Sequence, residues 1–326
     1  MNHLTIKALA SYVPEKRVSN DDLAEFIDTS DEWISQRTGI KFRHISLLEN
    51  TSDLCVKAAQ NLLQKATWQA EDLDLIIVAT MTPDSTTPST AAIVQGKIGA
   101  SNAFAFDISV ACSGFEYALV TASRLLDGRH VKKAMVLGGE NISKTLDWHD
   151  RTTCVLFGDG AAGALIEQDE TMSSELLGYS LKTFGEDFDK ISNQKTKPLT
   201  TFPPTSFEQV VTPFYMEGRA VYNFTTRIVP EVMRAAVQDS NLTLDQIDLF
   251  VLHQANARII KTMAKKMHQP LEKFPMNISE YGNTSGASVP LLLCDLEKIG
   301  RLQRGQNIML CGFGGGLSAG ACVIRY

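Results

Sequence analysis

The chain has 326 residues, 44% of them apolar and 21% charged, with a formal net charge of −6. This length permits two domains or one large duplicated unit with an ample core, and the acidic balance argues against nucleic acid as a general partner. No apolar run approaches the roughly 18 residues that span a membrane, and six scattered cysteines without a C-x-x-C pair argue against a zinc knuckle or a secreted disulfide framework.

In chain order, residues 1–8 read as a first strand with no secretory apolar region, so a cytoplasmic location is expected. A helical pattern covers 52–65. An acidic turn then leads into a near-continuous apolar run over 71–78, as in a strand buried on both faces. At 107–119 a second apolar run ends at Cys112, Ser113 and Gly114 follow, and a helical pattern continues over 113–127. Such a strand-to-helix turn sets the sulfur at a helix N-terminus, where unpaired N–H groups favour a thiolate. A free cysteine at such a junction is as often an inert core residue, so partners elsewhere must decide. The other five cysteines read as core fillers, Cys154, Cys311 and Cys322 in strands and Cys55 and Cys294 in helices.

A strand over 134–138 is followed by the Thr-, Pro- and Ser-rich stretch 182–213, a long excursion that covers a pocket or simply lies on the surface. After a helix over 221–239, the strand pattern 245–252 ends at His253, at the carboxyl end where α/β folds place function. On the helix 256–267, Arg258, Lys261 and Lys265 share one face at i, i+3 and i+7. That stripe is either a solvated surface or a docking face for an acidic partner. Small residues crowd around Asn283 before the helix 289–298, either as a turn or N-cap or as a tight backbone aiming one amide. Phe313-Gly314-Gly315-Gly316 lies between the strands 308–311 and 319–325. It lacks both the P-loop lysine and the helix of a dinucleotide loop, which leaves close approach to a substrate or a plain hairpin.

The chain also resembles itself at one constant offset: 71–78 aligns with 245–252, and 134–138 with 308–312. Strands alternating with helices predict βαβ units and helix-covered sheets. A duplicated α/β chain of this kind can hold its active site where equivalent elements meet.

Cys112 in A-C-S-G, His253 in H-Q-A-N, Asn283 in G-N-T-S-G-A-S and the F-G-G-G turn together resemble the β-ketoacyl-acyl-carrier-protein synthase III family. Segments 28–40, 150–152, 157–160 and 216–222 match further family motifs, and the likeness runs from Ile6 to Arg325. The resemblance implies a thiolase-like fold of two pseudo-duplicated βαβ halves in α-β-α-β-α layers. Residues 1–170 would carry the nucleophile, and 171–326 the histidine and asparagine. It also implies a decarboxylative Claisen condensation. Cys112 would take an acyl group from an acyl-CoA, with the N–H groups of Cys112 and Gly315 as oxyanion hole. Neutral His253 and Asn283 would donate to the thioester oxygen of malonyl-acyl-carrier-protein as it loses CO2.

By the same resemblance Trp33 and Arg151 flank the adenine of coenzyme A, with Arg37 and Thr38 nearby. Arg258, Lys261 and Lys265 would meet the acidic carrier. No metal or other cofactor is implied, membrane and nucleic acid are not partners, and a homodimer is expected. Thr87 stands near the end of the primer tunnel where some members have phenylalanine, and Leu317-Ser318-Ala319-Gly320 replaces a frequent Thr-Trp-Gly run. Both departures bear on the acyl preference. Two rivals share these residues in whole or part: a condensing enzyme or acyltransferase of secondary metabolism, and a non-catalytic partner subunit.

Overall fold

The computed structural model describes residues 4–168, 175–199, 201–203 and 211–326. Two mixed sheets form its frame. The first runs, in spatial order, Leu4–Tyr12, Gly160–Gln168, Lys133–Glu140, Leu75–Ala79 and Phe104–Ile108. The second runs Glu175–Thr183, Ser318–Arg325, Asn307–Gly314 and Leu249–Leu252. Leu75 lies opposite Ala134 in a parallel pair, and Leu249 lies opposite Ile308 in another. The register of the first pair therefore recurs in the second, at the offset that relates the two halves of the sequence.

Alternate residues of these strands face opposite ways. Leu75, Ile77, Leu249, Val251, Ile308 and Leu310 turn into one core shared by both sheets. Ile76 and Val78 turn outward against helix Thr51–Ala66. Phe250 and Leu252 turn outward against helices Gly218–Asp239 and Ala257–Lys266. Burial on both faces is why these strands read as unbroken apolar runs. Between the sheets lie helices Gly114–Leu125 and Ser288–Lys298, which complete the expected order helix, sheet, helix, sheet, helix.

Each central helix is entered through a short 3-10 turn, Ala111–Ser113 in one case and Ser285–Ala287 in the other. The same offset relates these turns, and each begins at a positive φ, +44° at Ala111 and +47° at Ser285. A non-glycine residue in this region costs on the order of 1–3 kcal/mol, so its repetition marks a constraint that both halves obey. The turns pack directly on each other. Glycines at matched positions make the room. A Cβ on Gly138 would collide with the Gly286 carbonyl, and one on Gly312 would lie 2.6 Å from the Cys112 carbonyl.

Some details differ from the sequence reading. Cys154 lies buried in the irregular segment before Phe157, not in a strand. The first strand reaches Tyr12, because its pairing with Gly160–Gln168 continues past the apolar start. The excursion begins inside the strand Glu175–Thr183, and its Ile191–Ser192 pairs with Tyr215–Met216. Residues 200 and 204–210 of that stretch lie outside the described residues, as does the expected division at 170/171. Among the described residues, no helix is long and apolar enough to cross a membrane.

One buried group strains this packing. Glu116, on the first central helix, is fully buried and neither carboxyl oxygen meets a donor from another residue. Burial raises its pKa well above the ordinary 4.5, so the folded state holds the proton more tightly than the unfolded chain. The corresponding stability is present below about pH 4.5 and is lost as pH rises toward the folded-state value. Glu116→Gln removes this titration. Thermal melts should show that the variant loses less stability than the wild type between pH 5 and pH 8; parallel losses would refute the assignment.

Candidate active site

Cys112 sits on the turn between strand Phe104–Ile108 and the first central helix. The residue is partly exposed, yet its sulfur is desolvated: a Cβ on Gly314 would lie 3.0 Å from Sγ. Burial pushes the thiol from 9.0 up to about 12, and Glu140 and Glu116 push the same way. The Ser285 hydroxyl and the residue's own N–H act against them. A helix N-terminus offsets about 0.3–1 kcal/mol, and ~2 at most, against about 1.4 kcal/mol for each tenfold change in acidity. The free sulfur therefore rests as a thiol. Desolvation, which periodicity does not report, works against the thiolate that the helix end favours.

His253 follows strand Leu249–Leu252 and is buried, 1% exposed. Its backbone N–H donates to Cys311 O at 2.8 Å, and its ring meets Phe313 edge-on with centroids 5.2 Å apart. Ser288 Oγ lies 2.6 Å from Nδ1. Burial lowers the pKa to about 3, so the ring is neutral throughout the physiological range.

Asn283 is 7% exposed and is pinned by its backbone, which donates to Leu156 O and accepts from Gly158 N. Its side-chain Oδ1 accepts the Ser285 N–H at 2.9 Å. That contact fixes which end of the amide faces away, leaving the Nδ2 donors without a partner among the described residues. Segment 283–288 is thus a hub. Asn283 offers its amide, Ser285 reaches Cys112, and Ser288 holds His253.

Phe313–Gly316 is at once the hairpin between the last two strands and a wall of this site. Gly314 touches Cys112, while Gly315 packs against Ala111 and Ile191. Ile191, in the described part of the excursion, therefore lies against the glycine turn.

Near helix Asp31–Thr38, the Arg37 guanidinium lies 4.5 Å and that of Arg151 5.5 Å from the Trp33 ring centroid. Arg151 also pairs with the exposed Asp28 at 2.9 Å. Thr38 is different. It is buried, and its hydroxyl donates to Ile34 O while accepting from Ile40 N, so it closes the helix end. Arg258, Lys261 and Lys265 are all exposed on helix Ala257–Lys266, whose opposite face buries Ile260 and Met263. None of the three forms an ion pair among the described residues. Arg258 donates to Gln36 O at 2.8 Å, which places the stripe beside the Trp33 cluster. Thr87 is exposed on the loop between Leu75–Ala79 and helix Thr90–Ile98, with no hydrogen bond to the Cys112 turn. Among the described residues, no group of three or more potential ligands could hold a metal ion.

Sequence reasoning missed Glu140, Ser285 and Ser288. Ser285 and Ser288 lay in plain sight around Asn283. Glu140 ends a buried strand, as His253 follows one, and the same positional rule would have found it.

A duplicated five-layer α/β fold with a cysteine, a neutral histidine and a donor amide at its seam is that of a thiolase-fold acyltransferase. The chain belongs to the 3-oxoacyl-[acyl-carrier-protein] synthase III family: residues 106–185 match the family's profile and 237–326 that of its C-terminal part. It is 51% identical to a β-ketoacyl-[acyl-carrier-protein] synthase III of Limosilactobacillus reuteri, with all of both chains covered. The 3-oxoacyl-[acyl-carrier-protein] synthase III of Aquifex aeolicus VF5 superposes with a TM-score of 0.91 at 38% identity, covering 99% of this chain and 100% of that one. A priming β-ketosynthase from the R1128 polyketide pathway superposes at 0.88 with 29% identity, covering 98% and 95%.

A methyl group at position 314 would intrude on the sulfur, so Gly314→Ala should cut Cys112 alkylation by iodoacetamide at least tenfold. Overpacking of this kind costs about 1–3 kcal/mol of stability, small enough for the variant to fold. Wild-type labelling kinetics, followed by intact mass, would show that this glycine does not set access.

Proposed function

We infer that the chain condenses an acyl-CoA with malonyl-acyl-carrier-protein, giving β-ketoacyl-acyl-carrier-protein, CO2 and coenzyme A, the step that opens fatty acid synthesis. The observation that carries this reading is the convergence of Cys112, His253 and Asn283 on one turn, with the asparagine oriented as a donor. In the first stage the Cys112 sulfur attacks the acyl thioester. The oxyanion is held by the N–H groups of Cys112 and Gly315, each such donor being worth about 2.7–4 kcal/mol.

In the second stage the malonyl thioester oxygen accepts from Asn283 Nδ2 and His253 Nε2, and CO2 leaves without a base. This step needs the ring proton on Nε2. The Ser288 hydroxyl reaches both the Ser285 carbonyl at 2.9 Å and His253 Nδ1 at 2.6 Å, and the donor role of His253 requires its single proton to turn to Nδ1. The resulting enolate carbon attacks acyl-Cys112 and expels its sulfur. A cysteine protease would instead use its histidine as a base, a role for which a ring with pKa about 3 is poorly suited. Every step uses protein groups and the two substrates, with no metal or cofactor.

Trp33, Arg37 and Arg151 suit the adenine of coenzyme A by stacking and cation–π attraction; Thr38 contributes only by shaping their helix. We assign carrier docking to Arg258, Lys261 and Lys265, and place the enzyme in the cytoplasm with its substrates. The homodimer contact fits the open edge strand Phe104–Ile108, which carries stacked Phe104 and Phe106 rings and would otherwise invite misassembly. Likeness to a polyketide priming enzyme leaves specialised metabolism as the second reading, less supported at 29% identity than the match at 51%.

Incubation with acyl-CoAs from acetyl to octanoyl should add the acyl mass to the wild type and none to Cys112→Ala. Asn283→Ala should still load Cys112 yet release CO2 from malonyl-carrier about 10²–10³-fold more slowly. No loading by any acyl-CoA would favour the non-catalytic subunit. Arg258→Glu should raise KM for the carrier substrate at low salt and much less at high salt, because exposed charges are screened. Equal KM values at low salt would exclude docking at this face.

A further inference from the structure

The catalytic scheme gives no task to the buried carboxylate nearest the nucleophile. Glu140, the last residue of strand Lys133–Glu140, is fully buried. Thr82 Oγ1 donates to it at 2.6 Å, Thr80 Oγ1 at 3.3 Å and the Met81 N–H at 3.2 Å. The Gly286 N–H also donates to it. Its remaining contact leads to the nucleophile: Ser285 Oγ donates to Glu140 Oε1 at 3.1 Å, and the same hydroxyl meets the Cys112 sulfur. One hydroxyl therefore separates the buried thiol from a buried carboxylate.

The duplication shows how the space arose. Glu140 and Gly314 occupy equivalent strand ends in the two halves, each facing the turn of the opposite half. In one half the position is glycine and leaves room at the sulfur. In the other it carries a carboxylate.

We propose that Glu140 is the proton acceptor for Cys112 during acyl transfer, acting through the Ser285 hydroxyl. As sulfur bonds to the acyl carbon, its proton passes to Ser285 Oγ while the Ser285 proton passes to Glu140 Oε1. Coenzyme A departs as a thiolate and takes its proton from solvent. Glu140 then stores the proton while Cys112 is acylated. When condensation expels the Cys112 thiolate, the proton returns by the same route and the resting state is restored. This rests on the functional reading above, and Glu140 is a positioning residue for the proton, since it touches neither substrate.

The acidities suit the role. Burial raises Glu140 to about 7, with its hydrogen-bond donors resisting the rise, so above neutral pH it is an acceptor. A thiol near 12 supplies little free thiolate and needs one. The titratable groups facing Glu140 are Cys112, the buried Cys55 of helix Thr51–Ala66 and Lys144, whose ammonium is held by Asn50 Oδ1 and Pro83 O. Cys55 stays protonated, its pKa raised well above the ordinary range.

The test is single-turnover loading of Cys112, followed by intact mass, with the acyl-CoA that loads the wild type fastest. Because the Glu140 charge disfavours the thiolate, Glu140→Gln would speed loading if that charge were its only influence. The relay predicts the opposite, about 10²-fold slower loading at pH 8, within the usual range for general-base catalysis. It also predicts loss of the wild type's fall in rate below about pH 7. In a Ser285→Ala background, Glu140→Gln should add no further slowing. Thr82→Val keeps the carboxyl but removes a donor to its ionised form, so the low-pH fall should move to higher pH; this variant decides the matter should Glu140→Gln fail to fold. Loading by Glu140→Gln as fast as wild type, or an unmoved pH profile in Thr82→Val, overturns the relay alone. Failure of every acyl-CoA to load the wild type would overturn the functional reading, and the relay with it.

Discussion

Backbone-to-backbone contact between the two halves governs this molecule. The Ser285–Ala287 turn lies against the Ala111–Ser113 turn, and the Gly286 carbonyl occupies space that any side chain at position 138 would need. That approach brings Ser285 to the Cys112 sulfur and leaves Asn283 and His253 at the same seam. Both turns begin at a left-handed φ. The cost falls at two non-glycine residues, and packed helices and sheets on either side hold them there.

Sequence duplication has been put to asymmetric use. Matched strands, registers, turns and central helices frame both halves, yet the residues at the meeting point differ in kind. One turn carries a nucleophile and the other carries donors. One strand end carries glycine and the opposite one a carboxylate. Equivalent backbone geometry thus presents two chemical surfaces to one small space, which suits a reaction that joins two different thioesters.

Electrostatics in that space follow from desolvation more than from helix ends. Cys112, Glu140, Glu116 and His253 all shift toward their neutral forms because water is excluded. A neutral histidine suits donation to an enolate, and a neutral thiol needs somewhere to send its proton. Burial therefore bears both on the donor role proposed for His253 and on the place of Glu140 behind Ser285.

Much of this was legible in the chain itself. Two-sided strand burial leaves unbroken apolar runs, so the strands 71–78 and 245–252 and their repeat could be read directly. The A-C-S-G, H-Q-A-N and G-N-T-S-G-A-S motifs pointed to Cys112, His253 and Asn283 through their resemblance to the family. Tertiary structure alone decided the desolvation of Cys112, the facing of the Asn283 amide, the burial of Thr38 and the link from Ser285 to Glu140. These depend on which distant segment lies alongside and how much water it removes. Periodicity reports the face of an element, and only the packed fold supplies its neighbour.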